Sequence, residues 1–329
     1  MYQIINKRKI WLSISTVLVV LSIIFLSIWK LNFGIDFTGG SLLEVEFSSR
    51  QPTVSEIQEN LSDLNLDSLI IQPIGEKNII LRFQDITEET HQEIIKKLNK
   101  LNEDLTKNIE LDKTASTTET EISSSTEVAT STSVINIKNI NELRFDSVGP
   151  SIGQELKRKS LYAIFVVLIA IVAYIAWAFR KVSKPVSSWK YGVTAIIALF
   201  HDVIIVLGVF SLLGYFYDIE INTPFVAAIL TVLGYSVNDT IVMFDRIREN
   251  LPKSDDNFED TINTSVNQTL TRSINTSVTT LMVLLSILFF GGESIRDFVL
   301  ALSIGVFIGT YSSIFLASPL LVVWEKYKK

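Results

Sequence analysis

The sequence contains no cysteine and only two histidines in 329 residues, so it offers neither a disulfide framework nor a Cys/His cluster that would hold a metal. A G-x-x-x-x-G-K-[ST] phosphate loop is also missing, and ATP is therefore not expected to be a direct fuel. No G-x-S-x-G nucleophile elbow is present. We expect a protein that is not an enzyme and that uses no metal or cofactor.

The chain also lacks an excess of basic over acidic residues. The formal net charge is −6, and residues 44–142 hold 19 acidic against 9 basic residues. A protein that binds nucleic acid needs a basic patch or stripe to meet the phosphates. We therefore expect no nucleic-acid partner.

Long apolar runs, by contrast, are frequent. A membrane-spanning helix needs about 20 mainly apolar residues. Six candidate spans are found at residues 10–29, 161–179, 191–213, 225–244, 272–290 and 298–323. We predict an α-helical integral membrane protein that crosses a lipid membrane six times.

The first apolar run follows three basic residues, Lys7, Arg8 and Lys9, as a signal peptide would. It is longer than the usual signal-peptide core of about 7–15 residues, and no A-x-A-like cleavage site follows it. We favour an uncleaved anchor over a signal peptide.

The basic residues between the spans predict the orientation. They cluster before the first span, between the second and third, between the fourth and fifth, and after the sixth. Lys and Arg mark cytoplasmic loops. The terminal segments 1–9 and 324–329 are therefore predicted to be cytoplasmic, and segment 30–160 to lie outside.

The external segment has the pattern of a small α+β domain. Alternating apolar residues predict a strand at 41–48, and helical spacing predicts a helix at 53–66 that opens with a Thr53–Glu56 capping box. Strands at 69–74 and 79–83, a helix at 87–105 and a strand at 144–148 complete the pattern. The order β-α-β-β-α-β predicts a ferredoxin-like fold.

Residues 114–133 interrupt this domain. Thirteen of these twenty residues are Ser or Thr, so the segment cannot bury enough apolar surface to offset the entropy of ordering. We interpret it as a disordered insert; a specific binding site is the alternative.

The most unusual stretch is 234–249, which places Asp239 inside an apolar span. A charge in a bilayer costs about 2.5–3.5 kcal/mol on insertion scales, and such residues are commonly functional. Helical spacing puts Tyr235 and Asn238 on the face of Asp239, where they could bond the carboxylate. The pattern indicates a protein that handles ions or protons; a structural polar contact between helices is the alternative.

Two other spans carry ionisable residues. Arg272 opens the fifth span, where it could pair with Asp239 or extend to the cytoplasmic headgroups. His201 and Asp202 lie near the centre of the third span, as a proton-exchanging pair or as a structural one. Because consecutive helical residues point about 100° apart, we expect the two to serve different neighbours.

The stretch 32–40, directly after the first span, resembles the signature of the SecD/SecF family of protein-export membrane proteins. Four further stretches are similar to the SecF branch of that family, in order along the chain. They are residues 148–156, 201–203, 234–249 and 271–277.

This resemblance implies an auxiliary subunit of the Sec translocase in the bacterial inner membrane, within the superfamily of RND-type transporters. Its expected partners are SecD, the SecYEG channel, YajC and unfolded exported polypeptides. The ion gradient would help to pull polypeptides outward, with the coupling ion open between H⁺ and Na⁺. A small-molecule exporter of the same superfamily and a non-conducting scaffold for SecD are the alternatives.

The resemblance also implies roles for individual residues. Asp239 and Arg272 would be the paired proton-conducting charges. We add Asn238, Asp202 and His201 as candidates for the proton path, from their own chemistry and their positions in the spans. The signature residues that tether the external domain are Gly34, Asp36, Gly39, Gly40, Gly149 and Pro150. We expect their glycines to supply left-handed backbone and to act as hinges when the helices tilt.

Overall fold

The computed structural model describes residues 2–48, 50–64, 66, 68–117, 139–178, 186–292 and 295–326. The chain forms two compact units. Ile35–Glu155 make up the sheet unit, and Met1–Gly34 together with Leu156–Lys329 make up the membrane unit.

The sheet unit contains the predicted βαββαβ succession, preceded by one short helix. Its elements are α2 (Ile35–Thr38), β1 (Gly40–Glu46), α3 (Val54–Leu61), β2 (Ile70–Ile74), β3 (Asn78–Phe83), α4 (Glu88–Thr117) and β4 (Asn141–Val148). The strands lie in the order β2-β3-β1-β4, and all neighbours are antiparallel. This is the arrangement of a split βαβ fold, as the sequence predicted.

Alternation along the central strand places the core on one face of the sheet. Leu43, Val45 and Phe47 are fully buried there. α3 and α4 cover this face with the fully buried Ile57 and Ile94. The capping box is present at the start of α3: the Thr53 N–H donates to Glu56 Oε2 at 2.7 Å, and the Glu56 N–H donates to Thr53 Oγ1 at 3.3 Å.

Several boundaries in the sheet unit differ from the predictions, and the largest differences are at the ends of the two helices α3 and α4. α3 ends at Leu61 and is followed by a 3₁₀ turn, Ser62–Leu64, whereas the helix was predicted to reach residue 66. α4 continues to Thr117, so residues 114–117 are helical rather than part of the insert. Once a helix exists, each added residue gains a hydrogen bond, which lets a Ser/Thr-rich sequence extend it. The remainder of the predicted insert, 118–133, lies outside the described residues.

The membrane unit contains the long apolar helices, and one of them begins within the sheet unit, at Pro150. They are α1 (Arg8–Ile28), α5 (Pro150–Ala178), α6 (Ser188–Tyr217), α7 (Thr223–Asn250), α8 (Phe258–Phe290), α9 (Arg296–Ser312), a π-helical segment Ser313–Ala317, and α10 (Ser318–Lys326). Six helices are long and apolar enough to cross a membrane, the sixth being Arg296–Glu325. α5 starts at Pro150 and α8 at Phe258, both earlier than the predicted spans.

Small residues allow the helices to approach closely. A Cβ added to Gly305 of α9 would lie 2.1 Å from Val232 Cγ2 of α7, and one added to Gly309 would lie 3.0 Å from Ser236 Cβ. The G-x-x-x-G of α9 thus packs against α7 within the chain. This contact positions the residues of the candidate site.

Candidate intramembrane functional site

The last span contains a wide turn next to a proline. Ser313–Ala317 form a π-helical segment, and Pro319 follows it. Proline has no N–H, and its ring clashes with the carbonyl four residues earlier in a regular α-helix. Single π turns inside α-helices are frequent at functional sites. Here the turn opens with the consecutive residues Ser312 and Ser313.

Asp239 is half-buried on α7 and accepts hydrogen bonds from two other helical segments. Ser273 of α8 donates to Oδ1 at 2.6 Å. Ser313 of the π-helical segment donates to Oδ2. Both serines are buried, so the carboxylate has exchanged water for hydroxyl donors supplied by the protein.

Asp202 of α6 is fully buried and has three hydrogen-bond partners. His201 Nδ1 lies 2.9 Å from Oδ1, while Ser236 of α7 and Ser312 of α9 donate to Oδ2 at 2.5 and 2.8 Å. The prediction that His201 and Asp202 serve different neighbours is correct in part. Asp202 alone contacts Ser236 and Ser312, but the imidazole is also long enough to reach back to the adjacent carboxylate. Hydroxyl and N–H donors stabilise the ionised form of a carboxylate.

The two carboxylates belong to one polar cluster, which is joined through adjacent serines of the last span. Ser312 binds Asp202 and its neighbour Ser313 binds Asp239. Ser236, which also binds Asp202, lies one turn before Asp239 on α7. Helices α6, α7 and α8 and the last span therefore meet at this cluster.

No lysine or arginine forms an ion pair with either carboxylate in the part of the chain that the structure describes. The only charged or chargeable partner of Asp202 there is His201, and the described partners of Asp239 are hydroxyls. A carboxylate without a fixed counter-charge can take up and release a proton without breaking an ion pair. The chemistry that this arrangement permits is proton exchange.

The predicted pair of Asp239 and Arg272 is not observed. Arg272 is exposed and makes no ion pair with Asp239. The reason is geometric: Ser273 faces α7, and the preceding residue points about 100° away on the helix. Arg272 still lies on the outer face of α8, where another protein or lipid headgroups could meet it.

Asn238 and Tyr235 also fail to bond Asp239. Asn238 is exposed, one position round the helix from the carboxylate. The Tyr235 hydroxyl lies 3.0 Å from Ser277 Oγ, which is 2.5 Å from Thr310 Oγ1. These hydroxyls form a second polar contact between α7, α8 and α9.

Comparison with known proteins identifies the family. Residues 127–327 match the family model "Protein export membrane protein SecD/SecF, C-terminal". The chain belongs to the SecD/SecF family. A second model, "SecD/SecF GG Motif", matches residues 25–49.

Relatives named protein translocase subunit SecF match along almost the whole chain. The protein of Thermobaculum terrenum is 37% identical over 99% of this chain and 94% of its own length. The protein of Desulfurispirillum indicum is 40% identical over 97% and 90%, respectively. The chain is thus a multi-pass membrane protein of the SecD/SecF family.

Solved SecDF structures share the fold. The crystal structure of SecDF, a translocon-associated membrane protein from Thermus thermophilus, matches with a TM-score of 0.75 and 30% identity over 99% of this chain. A SecDF structure in a super-membrane-facing form matches with a TM-score of 0.61. This chain spans only 39% of the length of each.

The GG motif of this SecD/SecF family member has a defined geometry in the sheet unit. Gly39 and Gly40 have φ of +76° and +122°, values that side chains rarely adopt, which confirms their predicted left-handed backbone. A Cβ on Gly39 would lie 2.8 Å from Pro150 Cα. The motif after the first span therefore packs against the first residue of α5. Asp36 lies in the first turn of α2.

The other two glycines play different parts. Gly34 has no positive φ, but a Cβ there would lie 1.7 Å from Asn222 Oδ1, and its N–H donates to the Ile221 carbonyl at 3.0 Å. Gly149 has neither a positive φ nor a neighbour closer than 3.9 Å to an added Cβ. The predicted left-handed backbone is therefore wrong at both Gly34 and Gly149. At Gly149 the reason is that the chain enters α5 directly at Pro150, whose fixed φ suits a first helical residue.

Sequence reasoning missed the serine donors and one buried ion pair. Serines are common in apolar spans, and only their spatial partners distinguish Ser236, Ser312 and Ser313 from the rest. Lys190, which we counted as an orientation charge, is 1% exposed and pairs with Glu325. The position of a lysine between two predicted spans does not show whether it is exposed in a loop or buried in an ion pair.

Proposed function

We propose that this chain is a SecF-type subunit of the Sec protein translocase that uses an ion gradient to promote late steps of polypeptide export. The names of its relatives support the translocase role. The observation that carries the coupling is Asp239, a carboxylate inside a span whose described partners are serine hydroxyls. A change of its protonation would alter contacts between α7, α8 and the last span at once.

The same function implies partners for this chain and a location in the cell. SecD is the expected partner within the translocase, which the likeness to SecDF structures supports. We further propose contact with the SecYEG channel, with YajC and with unfolded exported polypeptides. The chain would lie in the bacterial inner membrane with both termini in the cytoplasm, as the distribution of Lys and Arg indicates.

Replacement of Asp239 tests the coupling. Asp239→Asn keeps the shape but cannot ionise, so we expect it to remove the stimulation that a proton gradient gives to the late, ATP-independent phase of export. The assay uses inverted membrane vesicles that contain SecD and the native or variant chain at matched expression. The rate of that phase should fall to the value measured in vesicles without the chain.

Asp245→Asn is the matched control. Asp245 is a carboxylate of the same helix, but it is exposed and lies 3.7 Å from Arg248. This variant should export at the native rate. If Asp239→Asn also exports at the native rate, the carboxylate is a structural contact and the chain acts as a scaffold for SecD.

A further inference from the structure

The pair His201–Asp202 has an unused hydrogen-bonding atom. His201 is 5% exposed, and its Nδ1 faces the Asp202 carboxylate. Its Nε2 is buried and has no hydrogen-bond partner in the part of the chain that the structure describes. A buried polar atom without a partner is rare and calls for an explanation.

The hydrogen bonds assign the proton positions. Asp202 receives Ser236 and Ser312 as donors, which suits an acceptor-only, ionised carboxylate. We assign the proton of the His201–Asp202 hydrogen bond to Nδ1, the arrangement in which both oxygens of Asp202 act as acceptors. That tautomer leaves Nε2 unprotonated, with its lone pair free to accept a proton.

Few other groups compete for this role. The titratable groups around the pair are Asp239 of α7, linked through the serines, and Tyr311 of α9, whose ring centre lies 6.2 Å from that of the imidazole. Helix α1 contributes the uncharged Ser15, 3.2 Å from the Tyr311 hydroxyl. No lysine or arginine makes an ion pair with the His201–Asp202 pair among the described residues.

The serines give the pair a physical link to Asp239. Ser312 and Ser313 are adjacent, so a displacement of the backbone that carries one hydroxyl also displaces the other. Their position at the start of the π-helical segment adds a turn that can change its hydrogen-bonding pattern. Ser236 ties α7 to Asp202 in the same way.

We propose that His201, oriented by Asp202, is a second proton-binding residue of the membrane unit, and that Ser312 and Ser313 couple its proton to Asp239. Proton uptake forms one N–H bond at Nε2 and takes the pair from one negative charge to none. This inference rests on the proposed ion-coupled function. It adds a second proton site on a different helix from Asp239.

The chain allows a direct test because it has only two histidines, His91 and His201. The full chain, with ¹⁵N-labelled histidine and in lipid nanodiscs, is titrated by NMR, and His91→Gln assigns the signals. We expect the His201 ring to carry its proton on Nδ1 at high pH and to gain a second one on Nε2 as the pH falls. An imidazole that gains no proton between pH 9 and pH 4 overturns the assignment.

The coupling is measured in the same titration. Asp239→Asn removes a negative charge that favours the imidazolium, so the midpoint should move to lower pH by about half a unit or more, roughly threefold in proton affinity. In the Ser312→Ala/Ser313→Ala background this shift should become smaller. A midpoint that Asp239→Asn leaves unchanged overturns the coupling.

Ser303→Ala is the matched control for the serines. Ser303 is a buried serine of the same helix whose hydroxyl donates to the Val299 carbonyl at 2.8 Å, within α9. In the Ser303→Ala background, Asp239→Asn should still move the His201 midpoint by the full amount. If Ser303→Ala reduces this shift as much as Ser312→Ala/Ser313→Ala does, the effect comes from packing, and the proposal is contradicted. Since no export is measured, failure here is distinguishable from failure of the proposed function.

Discussion

Ser312 and Ser313 are consecutive in the chain, yet they donate to carboxylates on two different helices, Asp202 on α6 and Asp239 on α7. Hydroxyl donors satisfy a carboxylate without fixing its charge, whereas a buried lysine would hold it ionised. Lys190 and Glu325 show the alternative, an ion pair with a buried lysine, which joins the first turn of α6 to α10. The choice of donor separates a site that can exchange protons from one that only joins helices.

The contact of Gly305 with Val232 predicts the effect of a single methyl group. Gly305→Ala would place its Cβ 2.1 Å from Val232 Cγ2, and overpacking of this kind costs about 1–3 kcal/mol. We expect a lower melting temperature for the purified full chain in detergent. Val232→Ala should restore part of the loss by making room.

Gly234→Ala is the control for this prediction. Gly234 lies in α7, and no heavy atom lies within 4 Å of a Cβ added there. The melting temperature should stay the same or rise, because alanine favours helix over glycine by about 1 kcal/mol. Equal melting temperatures for the two alanine variants would contradict the close α7–α9 contact.

Individual elements depend on local features of different kinds. α3 is opened by a capping box that can be read from four residues of sequence. The last span depends instead on a π turn beside Pro319 that brings Ser313 toward Asp239. The capping box is local and was predicted. The π turn contributes to the site only because α7 places Asp239 next to it.

The pKa of Glu56 predicts a pH dependence for α3. The Arg50 guanidinium, and then the Thr53 N–H, lower this pKa from 4.5 to about 2. Because the folded pKa lies below the unfolded one, the stabilisation is complete above pH 4.5 and is lost as the pH falls toward 2. Hydrogen-exchange protection of the α3 amides, corrected for intrinsic exchange, should fall over this window.

Glu56→Gln separates this contribution from other titrating groups. Its α3 amides should depend less on pH between 4.5 and 2 than those of the native chain. Glu59→Gln changes an exposed carboxylate of the same helix and should retain the native dependence. Identical profiles for the native chain and Glu56→Gln would refute the prediction.

The whole molecule combines two units whose apolar residues follow different patterns, because they are buried in different surroundings. The sheet unit alternates apolar and polar residues because one face of its sheet packs on helices. The membrane unit has apolar runs because a helix that crosses the hydrocarbon core of a bilayer needs about 20 mainly apolar residues. The Lys and Arg residues between the second and third and between the fourth and fifth spans predict that these loops are cytoplasmic and that segment 30–160 lies outside.

This orientation can be tested on the cysteine-free chain. Glu76→Cys in the turn between β2 and β3, and Asp255→Cys between α7 and α8, each introduce one exposed thiol. In spheroplasts, a membrane-impermeant maleimide should label the Glu76→Cys variant directly and the Asp255→Cys variant only after permeabilisation. The reverse pattern would place the termini outside.

The sequence by itself determined the six spans, the βαββαβ order and the left-handed glycines of the GG motif. Each depends on a local feature of the sequence: a run of apolar residues, apolar residues that recur every 2 or 3.6 positions, or a glycine, which tolerates a positive φ. It also pointed to Asp239, Asp202 and His201, since an ionisable residue stands out in an apolar span.

Only the tertiary structure decided which groups these residues contact. It turned Arg272 and Asn238 away from Asp239 and brought in Ser273 and Ser313, because the facing side of a helix depends on its rotation against its neighbours. Ser236 and Ser312 reach Asp202 from residues 34 and 110 positions away. Serines have no distinctive pattern in an apolar helix, so their partners follow from packing alone.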